Sequence, residues 1–471
     1  MLSNAARTLK KLHHARQPVL FFLRHESTAR HFYQNRQLEL YAAKEAQRLT
    51  LRQLVFYGRH MNEERLIKSA NYVRTELPVR IAHRLRDLQT LPYVVVTQES
   101  VAKVYELYWS AFEKFRRYPP ITTLSENEKF CEFVGGLLNE HATVIPNLSL
   151  GLSLSSPYLA PDELDSVMRR MLISRISRRV LAEHHIALTE IFMGHREKEA
   201  AGEPHVGIIF TGLKVKKSIE RCVKLLRQRP TWVEVFEGED IHICHWPEVI
   251  IDGQLDTQFP YIKEHLEYIV FELLKNVSKA SIPSEQMNSY LCIQSMRATL
   301  IAHKDSSYLP PIQITIAAGE NNVGIRISDQ GGGLFTSECQ IKEPADLFSF
   351  SHLRNATRME NSRIGALRSA SASEEGVRAT VDEQVYRWNH TKTQEMHFSD
   401  VGIETRPRIG IGLPMSNIFT TYFGGSLELV SLDGWGTKCP PSDHPETDMR
   451  AGTDAYLRLP KLGTNLEGIE V

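Results

Sequence analysis

The chain has 471 residues, and its 56 lysines and arginines are balanced by 56 aspartates and glutamates, which gives a formal net charge of zero. Its hydrophobic fraction of 42% and charged fraction of 24% argue against a wholly disordered, collagen-like or coiled-coil chain. The balanced charge argues against a nucleic-acid-binding protein. The longest apolar stretches, residues 19–23 and 93–96, are far shorter than the roughly 18 residues of a transmembrane helix, so no membrane insertion is expected.

The first 25 residues form a basic segment that contains no acidic residue. Basic residues interleaved with leucines are typical of a mitochondrial targeting peptide, and a solvated N-terminus is the alternative. We predict a transit peptide and N-terminal tail over residues 1–45. Because residues 1–25 hold five basic residues, the rest of the chain has 51 basic and 56 acidic residues and a net charge of −5.

The six cysteines are scattered along the chain, and none forms a C-x-x-C pair: Cys131, Cys222, Cys244, Cys292, Cys339 and Cys439. This spacing favours reduced thiols over a zinc site or a disulfide scaffold.

Residues 26–200 show helical periodicity. Within 69–92, apolar residues recur every three or four positions and form one face: Val73, Leu77, Ile81, Leu85 and Leu88. Further amphipathic segments at 98–116, 125–150 and 161–192 are separated by prolines. We therefore predict a four-helix bundle over 46–193, followed by a charged linker at 194–204.

The pattern changes after the linker to short alternating segments, which predict strands at 206–210, 310–318, 323–329, 426–432 and 455–459. Helices are predicted at 258–276 and 412–423. These elements indicate an α/β domain over 205–463 with a C-terminal tail at 464–471. The polar, irregular stretch 334–408 is predicted to be a functional lid or a disordered segment.

Three motifs in this half could carry chemistry. Glu272 and Asn276 share one face of a helix, where a carboxylate can act as a base and an amide oxygen can bind Mg²⁺. The sequence I-S-D-Q-G-G-G (327–333) ends a strand in a glycine turn that a ligand can approach closely. In I-G-I-G-L-P-M-S-N (409–417), glycines precede a helix whose N-terminus can bind phosphate. Each motif alone is also compatible with an ordinary helix face or loop.

The order of the motifs resembles the ATP-binding fold shared by gyrase, a class of heat-shock chaperones, histidine kinases and MutL (GHKL). The surrounding residues resemble one family in particular, the mitochondrial α-ketoacid dehydrogenase kinases, over nearly all of 50–463. The resemblance in the helical half lies in T-E-L-P-V-R-I-A (75–82), H-A-T-V-I-P (141–146) and S-R-I-S-R-R-V-L-A-E-H-H-I-A-L (174–188). It implies an N-terminal four-helix bundle followed by a GHKL-type, histidine-kinase-like α/β sandwich that binds ATP.

The resemblance also implies residue roles. Glu272 would orient or deprotonate a substrate serine, Lys275 would lie near phosphate, and Asn276 would hold Mg²⁺. Asp329 would bind the adenine amine. The remaining nucleotide-site residues are Gly331, Gly333, Ser351, His352, Gly410, Ile411, Gly412, Leu413 and Thr453. ATP and Mg²⁺ are the implied cofactors, with K⁺ as a further cation, and the reaction is transfer of the γ-phosphoryl group.

The implied partners are the dehydrogenase component of an α-ketoacid dehydrogenase complex, a lipoyl domain of its acyltransferase core and a second copy of the chain, in the mitochondrial matrix. One alternative is a non-catalytic homologue with a disrupted ATP site. Another is a histidine kinase, although we expect His184 and His185 to be structural residues of the bundle.

Pyruvate and branched-chain substrates are not separated by the sequence. Pyruvate dehydrogenase kinases tend to carry a histidine where this chain has Tyr268, and they often end in an Asp-Trp tail that this sequence lacks. Arg408 replaces the first glycine of the family's G-x-G-x-G run, which puts that one phosphate contact in doubt.

Two segments interrupt the family pattern, residues 277–294 after Asn276 and residues 437–452 after Gly436. Pro283 must break any helix that continues through the first segment. Codons compatible with splice signals and in-frame lengths allow both segments to be retained introns; real surface loops beside the site are the alternative. A transcript that contains both segments would contradict the intron hypothesis.

Overall fold

A computed structural model describes residues 35–194, 199–200, 203–227, 232–235, 239–242, 246–275, 309–330, 348–350, 411–432, 452–463 and 465–469. The helices of the first half are α1 (Arg36–Ala42), α2 (Leu51–Arg59), α3 (Glu63–Thr90), α4 (Tyr93–Val96), α5 (Glu99–Arg116), α6 (Leu124–Glu140), α7 (Val144–Ser155) and α8 (Pro161–Phe192). Short 3₁₀ turns lie at His141–Thr143 and Ser156–Tyr158. The predicted transit peptide lies outside the described residues.

The predicted apolar face of α3 is confirmed, because all five of its residues are buried in the contacts of α3 with α5 and α8. This helix begins at Glu63, where the Asn62 side chain caps it by accepting a hydrogen bond from the Arg65 N–H. It continues through Pro78 in its interior. Packing on two sides therefore outweighs the cost of an interior proline, which is about 3 kcal/mol.

The helices predicted at 98–116 and 161–192 are confirmed by α5 and α8. The single helix predicted over 125–150 is wrong, since α6 and α7 are separated by the 3₁₀ turn His141–Thr143. Pro146 explains the break. It lacks an N–H and costs least within the first turn of a helix, and it is the third residue of α7.

The described strands of the second half form two larger sheets and a hairpin. One sheet has the antiparallel order β1-β2-β3-β7, from β1 (Glu199–Ala200), β2 (Glu203–Val206), β3 (Ile209–Lys214) and β7 (Gln258–Ile262). The hairpin pairs β4 (Trp232–Val235) with β5 (Glu239–His242). Helices α9 (Val215–Arg227) and α10 (Lys263–Lys275) pack against each other and contact β3.

This first sheet differs from the prediction in two places. The single strand predicted at 206–210 is interrupted: residues 207–208 form a turn between the end of β2 and the start of β3, where Gly207 has a φ of 59°. The first residues of the helix predicted at 258–276 form β7, an edge strand that accommodates Pro260. Strand β1 and the first two residues of β2 also lie within the predicted linker segment.

The second sheet is mixed and has the order β10-β11-β9-β8-β6. Its strands are β6 (Val249–Gly253), β8 (Ile312–Ala318), β9 (Asn322–Asp329), β10 (Ser426–Leu432) and β11 (Gly452–Pro460), and only β6 and β8 pair in parallel. Helix α11 (Gly412–Thr421) packs on β10 and β11, and also contacts α10 and α8. The predicted α+β architecture is thus confirmed, and α11 connects the two halves.

Helix α9 and strands β4, β5 and β6 were missing from the prediction. The α9 sequence carried a usable signal, since its buried residues Val215, Ile219, Cys222, Val223 and Leu226 follow helical spacing. Among the described residues, no helix is long and apolar enough to cross a membrane.

Candidate active site

Helix α10 places the predicted catalytic pair at its C-terminal end. Glu272 is buried, and its Oε1 lies 3.1 Å from the Nζ of Lys275, one turn later on the same helix. The Lys275 side chain is 22% exposed, so it can reach a ligand from the edge of the site. The pair combines a shielded carboxylate with a more accessible ammonium group.

The first residue of α11 lies directly against this carboxylate. A Cβ atom added to Gly412 would lie only 2.2 Å from Glu272 Oε2. A side chain at residue 412 is therefore excluded unless Glu272 moves. The N-cap residue Ile411 makes no side-chain cap hydrogen bond to this helix, and the N-terminal N–H groups of a helix can bind anions. Ile411 is the N-cap residue and Leu413 is buried in the first turn, so three of the predicted phosphate-loop residues lie here.

Aromatic packing fixes α10 against α11. The Phe419 ring lies 4.6 Å from the His265 ring and 4.9 Å from the Tyr268 ring, measured between centroids. Tyr268 and Phe271 are fully buried on α10. Burial lowers the pKa of His265 to about 3, so this ring is neutral and behaves as a packed aromatic group. The relative position of Glu272 and Gly412 is thus set by a rigid interface.

A second group of predicted residues lies at the end of the mixed sheet. Asp329 is the last residue of β9 and Thr453 the second residue of β11, and they are direct cross-strand partners. Directly opposed residues point to the same face of a sheet, and both side chains are buried. Asp454 continues the strand and binds Arg326 at 2.8 Å and the Ser328 hydroxyl. The sheet therefore presents one buried carboxylate beside a threonine, in the layer on which α11 packs.

The other predicted site residues lie outside the described residues: Asn276, Gly331, Gly333, Ser351, His352 and Gly410, together with both interrupting segments except Gly452. Of the predicted lid only residues 348–350 are described, and the Phe350 N–H donates to Asp165 Oδ1 on α8 at 3.1 Å. No cluster of three or more His, Cys, Asp or Glu residues is found within the described part of the chain.

The two histidines on α8 have structural environments. His185 is buried, and its two ring nitrogens lie 3.0 Å from Ser69 Oγ and 2.9 Å from Asn127 Oδ1. Burial lowers the pKa of His184 to about 4 and that of His185 to about 3. Neutral rings enclosed in this way are not accessible to a phosphoryl donor, which supports the structural role predicted for both.

One buried polar network is not predicted by any motif in the sequence. Arg80 on α3, Tyr422 after α11 and Glu467 near the C-terminus meet in the interior, with Arg80 Nη1 2.9 Å from Glu467 Oε2. No sequence signal connects residues 387 positions apart. From sequence, a charged residue in a short tail is expected to be exposed to solvent. Only the tertiary structure shows that Glu467 is buried.

Comparison with known proteins shows that the chain is similar to mitochondrial dehydrogenase kinases. A family profile described as mitochondrial branched-chain alpha-ketoacid dehydrogenase kinase matches residues 48–210. The mitochondrial "[Pyruvate dehydrogenase (acetyl-transferring)] kinase 2" of Saccharomyces cerevisiae is 27% identical over 444 residues, which covers 86% of this chain and 84% of the yeast protein. The mitochondrial pyruvate dehydrogenase kinase of Arabidopsis thaliana is 27% identical and covers 89% of this chain and 92% of its own length.

A rat relative, pyruvate dehydrogenase kinase isozyme 4, is 24% identical over 424 residues and covers 85% of this chain and 82% of its own. The match thus extends through both the helical half and the half that carries α10, α11 and the mixed sheet. Over most of its length the chain is thus similar to mitochondrial pyruvate dehydrogenase kinases, and over residues 48–210 it matches the branched-chain alpha-ketoacid dehydrogenase kinase profile.

Proposed function

We propose that the chain is a protein-serine kinase that uses Mg-ATP to phosphorylate, and thereby inactivate, an α-ketoacid dehydrogenase complex in mitochondria. The observation that carries this proposal is the contact between the buried Glu272 carboxylate and Gly412, the first residue of α11. It joins a candidate base to a candidate phosphate-binding helix terminus. The similarity to mitochondrial dehydrogenase kinases supports the same reaction.

The proposed chemistry needs few protein groups. The Glu272 carboxylate accepts the proton of the substrate serine hydroxyl as the bond from serine oxygen to the γ-phosphorus forms and the bond to the ADP oxygen breaks. The Lys275 ammonium group offsets the negative charge on the transferring phosphoryl group. Because Lys275 also pairs with Glu272 at 3.1 Å, it holds the carboxylate in place before substrate binds.

The described residues fit a nucleotide at two points. The N-terminus of α11 has no side-chain cap at Ile411, so its N–H groups can donate to phosphate oxygens. The buried Asp329 carboxylate can accept a hydrogen bond from the adenine amine beside Thr453. We assign Gly331, Gly333, Ser351, His352, Gly410, Ile411 and Leu413 to the same nucleotide site.

We assign Asn276, the residue after α10, to Mg²⁺, with K⁺ as a further candidate cation. When bound, Mg²⁺ offsets the charge of the triphosphate and favours transfer of its terminal group.

The remaining organisation is also proposed. We assign residues 46–193 to a four-helix bundle that docks a lipoyl domain and residues 205–463 to a GHKL-type domain with a lid at 334–408. We also propose that two copies of the chain form a homodimer through the C-terminal sheet. The protein is proposed to lie in the mitochondrial matrix. The helical match over 48–210 and the mitochondrial names of the relatives support it.

Labelled ATP and purified dehydrogenase complexes test the function. The chain is incubated separately with pyruvate and branched-chain dehydrogenase complexes, and phosphoamino acids are analysed. Acid-stable phosphoserine on one dehydrogenase component is expected, with loss of that complex's activity. Acid-labile phosphate on the kinase chain itself would instead indicate a histidine kinase. The same experiment decides between the two substrates, which the family profile and the relatives name differently.

A non-catalytic homologue is the second candidate function, because residues 277–294 interrupt the chain two residues after Lys275. A nucleotide titration compares the full chain with a variant that lacks 277–294. If the segment disrupts the site, the shortened chain binds Mg-ATP more tightly and gains activity. Equal affinities would reject this effect of the segment, and phosphoryl transfer by the full chain would exclude the non-catalytic alternative.

A further inference from the structure

The C-terminal tail, residues 465–469, is bound in the interior between the two halves of the chain. The Glu467 side chain is fully buried although only four residues follow it in the sequence. Its backbone N–H donates to Leu49 O at 2.9 Å, and Leu466 forms an antiparallel bridge with Thr50. The tail therefore pairs with the segment that leads into α2 of the helical half.

The same tail also holds the C-terminal end of α11. Tyr422, the C-cap residue of α11, donates its hydroxyl proton to Glu467 Oε2 at 2.7 Å. The Gly468 N–H donates to Tyr422 O at 2.8 Å. Gly424, with a φ of 82°, approaches Asn465 so closely that an added Cβ would lie 2.8 Å from its Nδ2. These contacts attach both the side chain and the backbone at the end of α11 to the tail.

Arg80 completes the connection to the helical half. Its guanidinium is buried and bonds to Glu467 Oε2 at 2.9 Å, to Glu76 Oε1 at 3.1 Å and to Gln47 O at 2.7 Å. A buried charge needs such a set of partners, and the loss of one partner leaves the others uncompensated. Burial, together with the neighbouring Glu467 carboxylate, raises the pKa of Tyr422 well above its usual value, so its hydroxyl remains a donor.

Helix α11 links this network to the candidate active site. It has ten residues, about 15 Å of helix, with Gly412 against Glu272 at one end and Tyr422 on Glu467 at the other. A packed helix of this length moves as a rigid body, so its position at one end determines its position at the other.

We infer that Glu467 is a positioning residue that, through Tyr422 and α11, sets the nucleotide site against the helical half. This inference rests on the proposed function, because it concerns the site that binds Mg-ATP. It predicts that nucleotide affinity depends on a contact formed by the C-terminal tail with Arg80.

The variants that test it are Tyr422→Phe, which removes one hydroxyl, and Glu467→Gln, which removes the charge and keeps the shape. Glu76→Gln is the matched control: it breaks the other ion pair of Arg80, and Glu76 bonds to Gln47 and Arg80 rather than to the tail or α11. The dissociation constant of Mg-ATP is measured by calorimetry well below the melting temperature of each variant, alongside KM for ATP and kcat.

We expect Tyr422→Phe and Glu467→Gln to raise Kd and KM for Mg-ATP roughly five- to tenfold, with the double variant no weaker than the poorer single variant. Glu76→Gln should lower the melting temperature and leave Kd unchanged. Because coupling is reciprocal, a non-hydrolysable ATP analogue should slow hydrogen exchange at the Glu467 and Gly468 amides in the native chain, and not in Tyr422→Phe.

Equal Kd values for Tyr422→Phe, Glu467→Gln and the native chain would overturn the inference and leave Glu467 as a structural residue only. Lower melting temperatures of the two variants, with unchanged Kd, would not support the inference. If the native chain itself fails to bind Mg-ATP, the proposed function has failed, and that result is distinct from a native chain that binds while the variants bind equally well.

Discussion

At the scale of single residues, the candidate site depends on side chains that are too closely packed to be enlarged or moved. Glu272 is buried between its own helix and the start of α11, and Lys275 is its ion-pair partner. In the sequence, Glu272 stands out only through its spacing from Asn276, which many helices share, and the role of Lys275 comes from the family resemblance. The structure adds the contact with Gly412, which explains why a glycine is needed there.

Substitution of Glu272 by Gln tests the carboxylate. The amide keeps the shape but cannot accept the serine proton, so we expect kcat to fall by about 10²- to 10⁴-fold, the usual contribution of a general base. Binding of Mg-ATP should change little, since the glutamate acts on the serine. Rates are measured with labelled ATP at saturating dehydrogenase component. A variant with native kcat would remove Glu272 from the reaction.

Gly412→Ala tests the steric argument. The added Cβ would collide with Glu272 Oε2 at 2.2 Å, so the carboxylate or α11 must shift, and we expect a loss of at least about 1 kcal/mol in stability, a typical cost of overpacking, together with weaker Mg-ATP binding. The control is Gly136→Ala in α6, where an added Cβ meets nothing within 4 Å. That change should stabilise the chain by about 0.5–1 kcal/mol. Urea denaturation of both variants distinguishes the outcomes.

At the scale of elements, local sequence determined most helices and strands, and the exceptions have local causes. The alternating pattern of β9 appears as strict alternation of burial, and the apolar face of α3 is buried as predicted. The errors occurred at prolines and a glycine: Pro146 starts a new helix, Pro260 lies in an edge strand, and Gly207 forms a turn. Prolines and glycines of this kind end a helix or strand. Which structure follows depends on the packing of neighbouring elements.

The β10–β11 hairpin gives a prediction at this scale. Leu432 pairs with Gly452 and Ser431 with Thr453, so the strands are in register although residues 433–451 separate them. Deletion of 437–452 places Gly436 opposite Leu432 and leaves a three-residue loop, a common hairpin length. We expect the deletion to preserve the sheet and to stabilise the chain by about 1–2 kcal/mol through the lower entropy cost of closing a shorter loop.

Denaturant unfolding of the deletion variant, with activity as a second readout, measures this effect. A scrambled 437–452 segment of the same length serves as the control and should behave like the full chain. If the deletion variant is less stable than the native chain, the segment contributes contacts of its own and the retained-intron hypothesis loses its structural support.

At the scale of the whole molecule, buried titratable groups determine how stability depends on pH. Among the buried histidines that the structure describes, burial lowers the pKa furthest in four: to about 3 for His141, about 4 for His184, about 3 for His185 and about 3 for His265. Glu267 on α10 behaves in the opposite sense, since burial raises its pKa to about 7. Arg221 Nη1 lies 3.6 Å from this carboxylate and only partly offsets its burial.

The sign of the pH dependence follows from these values. Below the ordinary histidine pKa of about 6.5, these histidines are protonated in the unfolded chain but remain neutral in the folded chain. The free energy of unfolding that they contribute above pH 6.5 is therefore lost on acidification. At pH 5.5 the loss is on the order of 1 kcal/mol per histidine. Glu267 has the opposite effect on the free energy of unfolding. Between about pH 4.5 and 7 its carboxyl group binds a proton more strongly in the folded chain than in the unfolded chain, so acidification through this range stabilises the fold.

We expect denaturant unfolding to show a lower free energy of unfolding at pH 5.5 than at pH 7.5, since four histidines outweigh one glutamate. His265→Phe should make the loss shallower, and Glu267→Gln should make it steeper because the opposing group is removed. A native chain that is equally stable at both pH values, or an unchanged slope in both variants, would contradict this account.

The sequence by itself determined the amphipathic helices, the alternating strands and the residues of the candidate site, because these depend on local spacing and on motifs a few residues long. The tertiary structure alone decided which distant groups meet. Gly412 lies on Glu272, Thr453 beside Asp329, and Glu467 on Arg80 and Tyr422. Such contacts depend on how complete helices and strands pack, and a buried charge in a tail leaves no trace in composition or periodicity, since its partners lie hundreds of residues away.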